Sequence, residues 1–242
     1  MLSVIVPTFN EADSISETLD RLARLRGRFE VIAVDGGSTD KTIEIARRHP
    51  EVKVIESERG RGMQMHAGAR IARGRVLWFL HADTLPAPDA IERITEALND
   101  SQAVGGNFAL RFDGEKRAAR FMTWLYPQLR KLGLAYGDSG IFVRREVYEE
   151  IGGFQSFPVF EDLDLVRRLH KRGRVVRLPS IVITSSRRFE NRSFAFAITR
   201  WASLQVLYWL GVHPRRLARL YAPIRSRRGE ETKHERAIEK TC

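Results

Sequence analysis

Cysteine is almost missing from this chain: the single one, Cys242, is the last of 242 residues. That excludes a disulfide framework and any zinc site built on thiolates. No G-x-G-x-x-G follows the first apolar run, and no G-x-x-x-x-G-K-[ST] occurs. The first absence argues against a dinucleotide dehydrogenase and the second removes a P-loop. The opening MLSVIVPTFNE lacks the basic stretch, apolar run and small-residue cleavage site of an export signal, so a cytoplasmic location is expected. There is no internal repeat and no low-complexity linker before the tail.

What is present fits one large domain, or one domain with an appendage. With 43% hydrophobic and 29% charged residues, collagen-like, disordered and polytopic membrane classes are excluded. The net charge of +11 is unevenly placed. From residue 167 onward there are 19 Lys and Arg against 5 Asp and Glu, whereas residues 1–166 carry 22 against 25. The organised part is slightly acidic, so no nucleic-acid partner is expected.

Residues 1–100 alternate short β-branched runs with amphipathic ones. SVIVP (3–7), EVIAVD (30–35), VKVIES (52–57) and RVLWFLHAD (75–83) predict buried strands. ISETLDRLARLR (15–26), KTIEIARRH (41–49) and MQMHAGARIAR (63–73) predict helices covering them. This alternation implies an α/β fold with a mostly parallel central sheet flanked by helices. Ligands in such sheets sit beyond the carboxyl ends of the strands. Further on, VGGNFALRF (104–112) predicts a strand, EKRAARFMTWLYPQLRKLG (115–133) a helix, and SGIFVRREVYEEIGGF (139–154) a strand leading into a short helix. FEDLDLVRRLHKRG (160–173) predicts a helix with acids at its start, and VVRLP and IVITS two short strands.

Three acids stand where chemistry could occur. Asp35 ends a buried strand before Gly36, Gly37 and Ser38, and suits hydrogen bonding to a base or ribose; the plain alternative is a tight turn with a hydroxyl cap. His81 and Asp83 end the most apolar strand, and if the extended geometry persists both point to one side. A carboxylate there can hold a hard divalent cation together with substrate phosphates, or it merely opens the turn at TLPAP. Glu161, Asp162 and Asp164 are either ordinary first-turn acids or include one carboxylate aimed into a cleft, able to take a proton from a hydroxyl. Arg59, Arg61, Arg70, Arg144 and Arg145 are candidates to counter a diphosphate, and Arg61, between Gly60 and Gly62, is best placed.

VPTFNEA (6–12), VDGGSTDKT (34–42), HADT (81–84), SGIFVRR (139–145) and FEDLDL (160–165), in this order, resemble the inverting family 2 glycosyltransferases, over roughly residues 2–185. The resemblance implies the Rossmann-like A-type nucleotide-sugar-binding fold and transfer of a hexose from a nucleotide-diphosphate sugar, commonly a UDP-sugar. It places Pro7, Thr8, Glu11 and Asp35 on the nucleotide; Gly37 is expected beside them, and Arg61 and Arg144, read from the residues alone, near the diphosphate. It places the metal motif on His81-Ala82-Asp83 and the general base on Asp162, beside Glu161. The usual first Asp of the metal motif is His81 here, as in a bacterial subgroup with HADT, and an imidazole tilts preference from Mg²⁺ toward Mn²⁺. A nucleotidyltransferase is the alternative enzyme, though PTFNEAD lacks its Gly-rich basic loop; a non-enzymatic membrane- or nucleic-acid-binding module is the other.

SFAFAITRWASLQVLYWLGV (193–212) is the longest apolar stretch, but Arg200 and Gln205 interrupt it, and a central Arg costs about 2.5–3.5 kcal/mol on insertion. Arginines flank both ends: Arg187, Arg188 and Arg192 before, Arg215, Arg216 and Arg219 after. Amphipathic helices lying on an anionic membrane face are therefore expected, with packing on the catalytic domain or in a homodimer as the alternative. The expected organisation is a catalytic domain at 1–186, with a nucleotide half (1–100) and an acceptor half (101–186). Basic aromatic helices at 187–225 and a disordered tail at 226–242 follow.

Overall fold

The computed structural model describes residues 1–134, 136–187 and 194–220. The expected tail at 226–242, and Arg188 and Arg192, lie outside the described residues. Strands β1 (Leu2–Thr8), β2 (Phe29–Asp35), β3 (Val52–Glu56) and β4 (Val76–Phe79) alternate with helices α1 (Ile15–Ala23), α2 (Thr42–Arg47) and α3 (Arg61–Ile71). After β4 come β5 (Thr84–Leu85), α4 (Ala90–Ala97), β6 (Ala103–Phe112) and α5 (Arg117–Lys131). A 3₁₀ turn, Gly137–Ser139, leads into β7 (Ile141–Arg144), α6 (Arg145–Glu150), α7 (Glu161–His170), β8 (Arg174–Thr184), α8 (Phe194–Trp209) and α9 (Pro214–Leu220).

One sheet has the order β3-β2-β1-β4-β7-β6-β8-β5. The pairs β1–β2, β1–β4, β2–β3 and β6–β8 are parallel; β7 is antiparallel to β4 and β6, and β5 to β8. Successive residues of β1 serve opposite faces, as the pleat dictates: Val4 and Val6 join Leu19, Leu22, Trp78 and Phe108, while Ile5 joins Val34, Met65, Phe79 and Leu165. Pro7, which cannot donate a backbone hydrogen bond, is tolerated in this central strand because the β4 ladder ends at Ile5–Phe79.

Three features depart from the sequence expectation. VVRLP and IVITS form one strand, β8, irregular where Pro179 has no N–H to offer. Helix α4, with Ile91 and Ile94 buried, stands where the sequence reading places no element. The extended geometry ends at Phe79, and residues 81–84 close a turn through the Thr84 N–H and His81 carbonyl (3.1 Å).

A third core cluster joins Val159, Phe160 and Leu163 to Leu204 and Leu217 of α8 and α9. One face of α8 thus packs on the body of the protein, as the alternative reading of this segment held. The other side exposes Phe196, Val206, Trp209 and Leu210. No helix among the described residues is long and apolar enough to cross a membrane.

Candidate active site

Parallel β1, β2 and β4 direct their carboxyl ends to one edge. Because β7 runs the other way, its start at Ile141 lies opposite Phe79 at that same edge, which carries the preceding 3₁₀ turn there. At the end of β2, Asp35 is 1% exposed and its carboxylate is taken up by its own loop. Oδ2 accepts from the N–H of Gly37 (2.8 Å) and of Ser38 (2.7 Å); Oδ1 accepts from the hydroxyls of Ser38 (2.5 Å) and Thr8 (3.2 Å). Four acceptor positions exist on a carboxylate, so Asp35 contacts a ligand only by releasing one of these groups. Gly37, at φ 83°, holds the left-handed conformation that aims its N–H back at Asp35. Gln64 of α3, which nothing in the sequence singles out, donates to the carbonyls of Thr8 (2.6 Å) and Val34 (2.8 Å) and ties the two strand ends together. The Arg59 guanidinium lies 4.0 Å over the Phe9 ring at the same edge.

Glu11 is buried, and its Oε2 accepts from Arg187 Nη2 at 2.9 Å. The same Nη2 lies 3.6 Å from Asp83 Oδ2. His81 turns elsewhere: its Nδ1 is 2.8 Å from Asp138 Oδ1, while Nε2 is buried with no hydrogen-bond partner. The expectation that His81 and Asp83 extend along one strand to one side therefore fails, because the chain has already turned. A Cβ on Gly137 would stand 2.8 Å from His81 Nε2 and 3.4 Å from Asp162 Oδ2, so the imidazole faces the α7 acids.

Asp162, 4% exposed, accepts from the Gly137 N–H at Oδ2 (2.7 Å) and from its neighbour Leu163 N–H at Oδ1 (2.8 Å). Burial, and then the adjacent Glu161 charge, push its carboxyl above the usual range, against the opposing pull of Arg61. Glu161 binds Arg61 Nε at 2.5 Å, and its Oε2 has no partner. Burial alone would lower the Arg61 guanidinium; Glu161 and Asp162 outweigh it and hold that group above its ordinary value. Phe160, immediately before this pair, sits at φ 62°, a conformation that costs a bulky residue about 1–3 kcal/mol. Tyr208 of α8 stacks on it at 4.9 Å, and Tyr136, just ahead of Gly137, packs on Trp201 and donates to Gln205 (2.8 Å). Helix α8 thus braces the backbone on both sides of Asp162.

Arg144 is a correction. It pairs with Val76, at the start of β4 and the opposite end of the sheet, and its guanidinium donates to the carbonyls of Ala103 (2.8 Å) and Leu98 (2.6 Å). Arg145 likewise serves the Gly74 carbonyl (2.7 Å). Both are struts, far from the edge that gathers Pro7, Thr8, Glu11, Asp35, Gly37, Arg61, His81, Asp83, Glu161 and Asp162.

Among the described residues no three His, Cys, Asp or Glu side chains form a ready metal cage. The fit to a divalent cation rests on Asp83 and Glu11, two carboxylates that here share one guanidinium as a stand-in cation, while His81 is turned away toward Asp138 and the α7 acids. Two protein oxygens completed by substrate phosphates is an arrangement such ions accept.

Comparison with known proteins decides the family. Residues 3–152 match Glycosyl transferase family 2. The chain belongs to this family. Among its relatives, the PGL/p-HBAD biosynthesis glycosyltransferase of Mycobacterium bovis is 31% identical over 202 residues, 78% of this chain and 77% of its own length. Glycosyltransferase AglE of Haloferax volcanii is 29% identical over 171 residues, and the match spans 64% of this chain and only 56% of AglE. The mannosyltransferase of Pyrobaculum calidifontis, solved with GDP-Man and Mn²⁺, superposes with a TM-score of 0.65 at 27% identity, covering 82% of this chain and 60% of that one. For a family 2 member the mixed α/β sheet and flanking helices are as expected, and the nucleotidyltransferase and binding-module alternatives have no support here.

Proposed function

We propose that the protein is a metal-dependent inverting glycosyltransferase, moving a hexose from a nucleotide-diphosphate sugar to an acceptor hydroxyl, with a lipid-linked acceptor favoured. The observation that carries the reading is Asp162: a buried carboxylate with raised proton affinity, oriented by two backbone N–H groups at the edge where the parallel strands end. Such a group is a stronger base than an ordinary carboxylate and is held in one direction. Asp162 takes the proton of the acceptor hydroxyl as its oxygen attacks the anomeric carbon from the face opposite the leaving diphosphate. Glu161 keeps Arg61 in place, and the Arg61 side chain, 36% exposed, offers its remaining N–H groups to the diphosphate. Thr8, Gly37 and Asp35 shape the nucleotide end of the cleft.

A Mn²⁺ or Mg²⁺ ion held by Asp83 would supply charge neutralisation of the departing diphosphate. UDP-sugars are the first donors to examine, and GDP-mannose belongs beside them because of the 27% identical neighbour. The exposed apolar residues of α8, with the basic residues around them, favour contact with an anionic membrane face, where a lipid-linked acceptor would be met. The test is a panel of UDP- and GDP-sugars incubated with Mn²⁺ and followed by proton NMR. Slow release of sugar with inverted anomeric configuration is expected from at least one donor. Release with retained configuration, or from none, contradicts the proposal.

A further inference from the structure

Arg187 occupies an unusual position. It follows β8, and its Nε and backbone N–H both point at Ser185 Oγ (3.1 and 3.3 Å), while the Ser185 N–H donates to the Asp83 carbonyl (3.2 Å). The arginine is thereby tethered to the segment that carries Asp83. From there a single nitrogen, Nη2, reaches Glu11 Oε2 at 2.9 Å and Asp83 Oδ2 at 3.6 Å. Glu11 comes from the loop after β1 and Asp83 from the turn after β4, so the guanidinium closes the space between two carboxylates of the cleft. Its own side chain is 45% exposed, against 10% for Glu11 and 27% for Asp83, so it lies on the solvent side of both acids.

We infer that Arg187 is a resident counter-cation of the Glu11–Asp83 pair, which a divalent metal must displace, so that metal binds tightly only together with a nucleotide diphosphate. This rests on the assignment of Asp83 as metal-holding. The charge count carries the argument. Among the described residues these two carboxylates and the guanidinium sum to one negative charge, too little to hold a divalent cation beside the arginine. A diphosphate brings further negative charge, gives the displaced guanidinium a partner, and lets both cations stay. The arrangement keeps the empty cleft from holding metal without donor.

The experiment is calorimetric titration of MnCl₂ into the full-length protein, with and without UDP or GDP, for the wild type, Arg187→Gln, Arg187→Lys and Asp83→Asn. Arg187→Gln is expected to bind Mn²⁺ alone about 10-fold more tightly than wild type, the size of a lost partly exposed charge repulsion, and to gain less from added nucleotide. Arg187→Lys keeps the charge and should behave as wild type, which separates displacement from a change in folding. If Arg187→Gln binds Mn²⁺ alone no more tightly than wild type while the wild type binds it with nucleotide, the counter-cation role is wrong. If no form binds Mn²⁺ even with nucleotide, or if Asp83→Asn binds as well as wild type, the metal assignment itself fails and this inference with it.

Discussion

Arg61 Nε and Glu161 Oε1, one hundred residues apart in the chain, meet at 2.5 Å beside the Asp162 carboxylate. Glu161 is 2% exposed and its second oxygen has no partner, so among the described residues Arg61 is the cation that offsets the burial of that charge. Arg61→Gln should destabilise the fold by about 2 kcal/mol, less than for a fully enclosed pair because the arginine side chain is partly exposed. Adding Glu161→Gln should restore part of the loss. Urea unfolding of the two variants checks this; an additive further loss in the double variant would show that the pair is not what matters.

The same pair adjusts the pH dependence of Asp162, whose carboxyl is raised first of all by burial. A carboxyl held above its usual range is ionised, and able to act as a base, only at correspondingly higher pH, so kcat should fall on acidification sooner than for an ordinary Asp near 3.9. Arg61 lowers that value and Glu161 raises it. Arg61→Gln should therefore move the acid limb of the kcat profile upward and Glu161→Gln downward. Limbs that coincide in all three proteins would remove Asp162 as the titrating group.

Gly137 leaves open the space between His81 Nε2 and Asp162 Oδ2. A methyl there would stand 2.8 Å from the imidazole nitrogen, too close to keep, and 3.4 Å from the carboxylate oxygen, so either the imidazole moves or the turn shifts and takes with it the Gly137 N–H that orients Asp162. Gly137→Ala should lower kcat on the order of 10–100-fold, the usual consequence of displacing a catalytic group by about 1 Å. Nucleotide-sugar affinity, set at the other end of the cleft, should hardly change. A loss confined to donor affinity would place the turn in the wrong half of the site.

On the outer surface, Trp124 of α5 and Trp209 of α8 are 62% and 61% exposed, and Phe121 joins α5 to Phe194 of α8 at 5.7 Å. Exposed Arg117, Arg120 and Lys131 lie on the same α5, and Arg215 and Arg216 on α9. Co-sedimentation with vesicles containing phosphatidylglycerol should be marked, weakened by salt, and reduced several-fold in a Trp124→Ser, Trp209→Ser double variant. Point substitutions suit this test better than removing α8, which would uncover Phe160 and Leu163. Equal pelleting of wild type and variant would show that these aromatics are not the contact.

Much of this was legible in the residues themselves. The alternation of β-branched runs and amphipathic stretches, with Val4, Ile5 and Val6 all apolar, marks a strand buried on both faces, and the acids that follow such strands lie at the ligand edge. What failed depended on tertiary direction. In sequence Arg144 and Arg145 stand as candidates for a diphosphate, but strand β7 runs antiparallel and carries both to the far end. His81 and Asp83 part because the chain turns after Leu80, which two-residue spacing cannot show. Helix α4 carries Ile91 and Ile94, with Leu98 just past its end, at helical spacing, yet Pro86 and Pro88 ahead of it read as a turn. Gln64 and Gly137 look ordinary in sequence, since their importance lies in which backbone groups the fold brings to them.

Turnover of Asp162→Asn, measured at saturating donor and Mn²⁺ beside a calorimetric donor affinity, tests the central claim most directly. The amide preserves shape while removing the base, so kcat should drop by about 10²–10⁴-fold with donor affinity within a factor of about two. A variant that still transfers sugar at close to the wild-type rate would contradict the account.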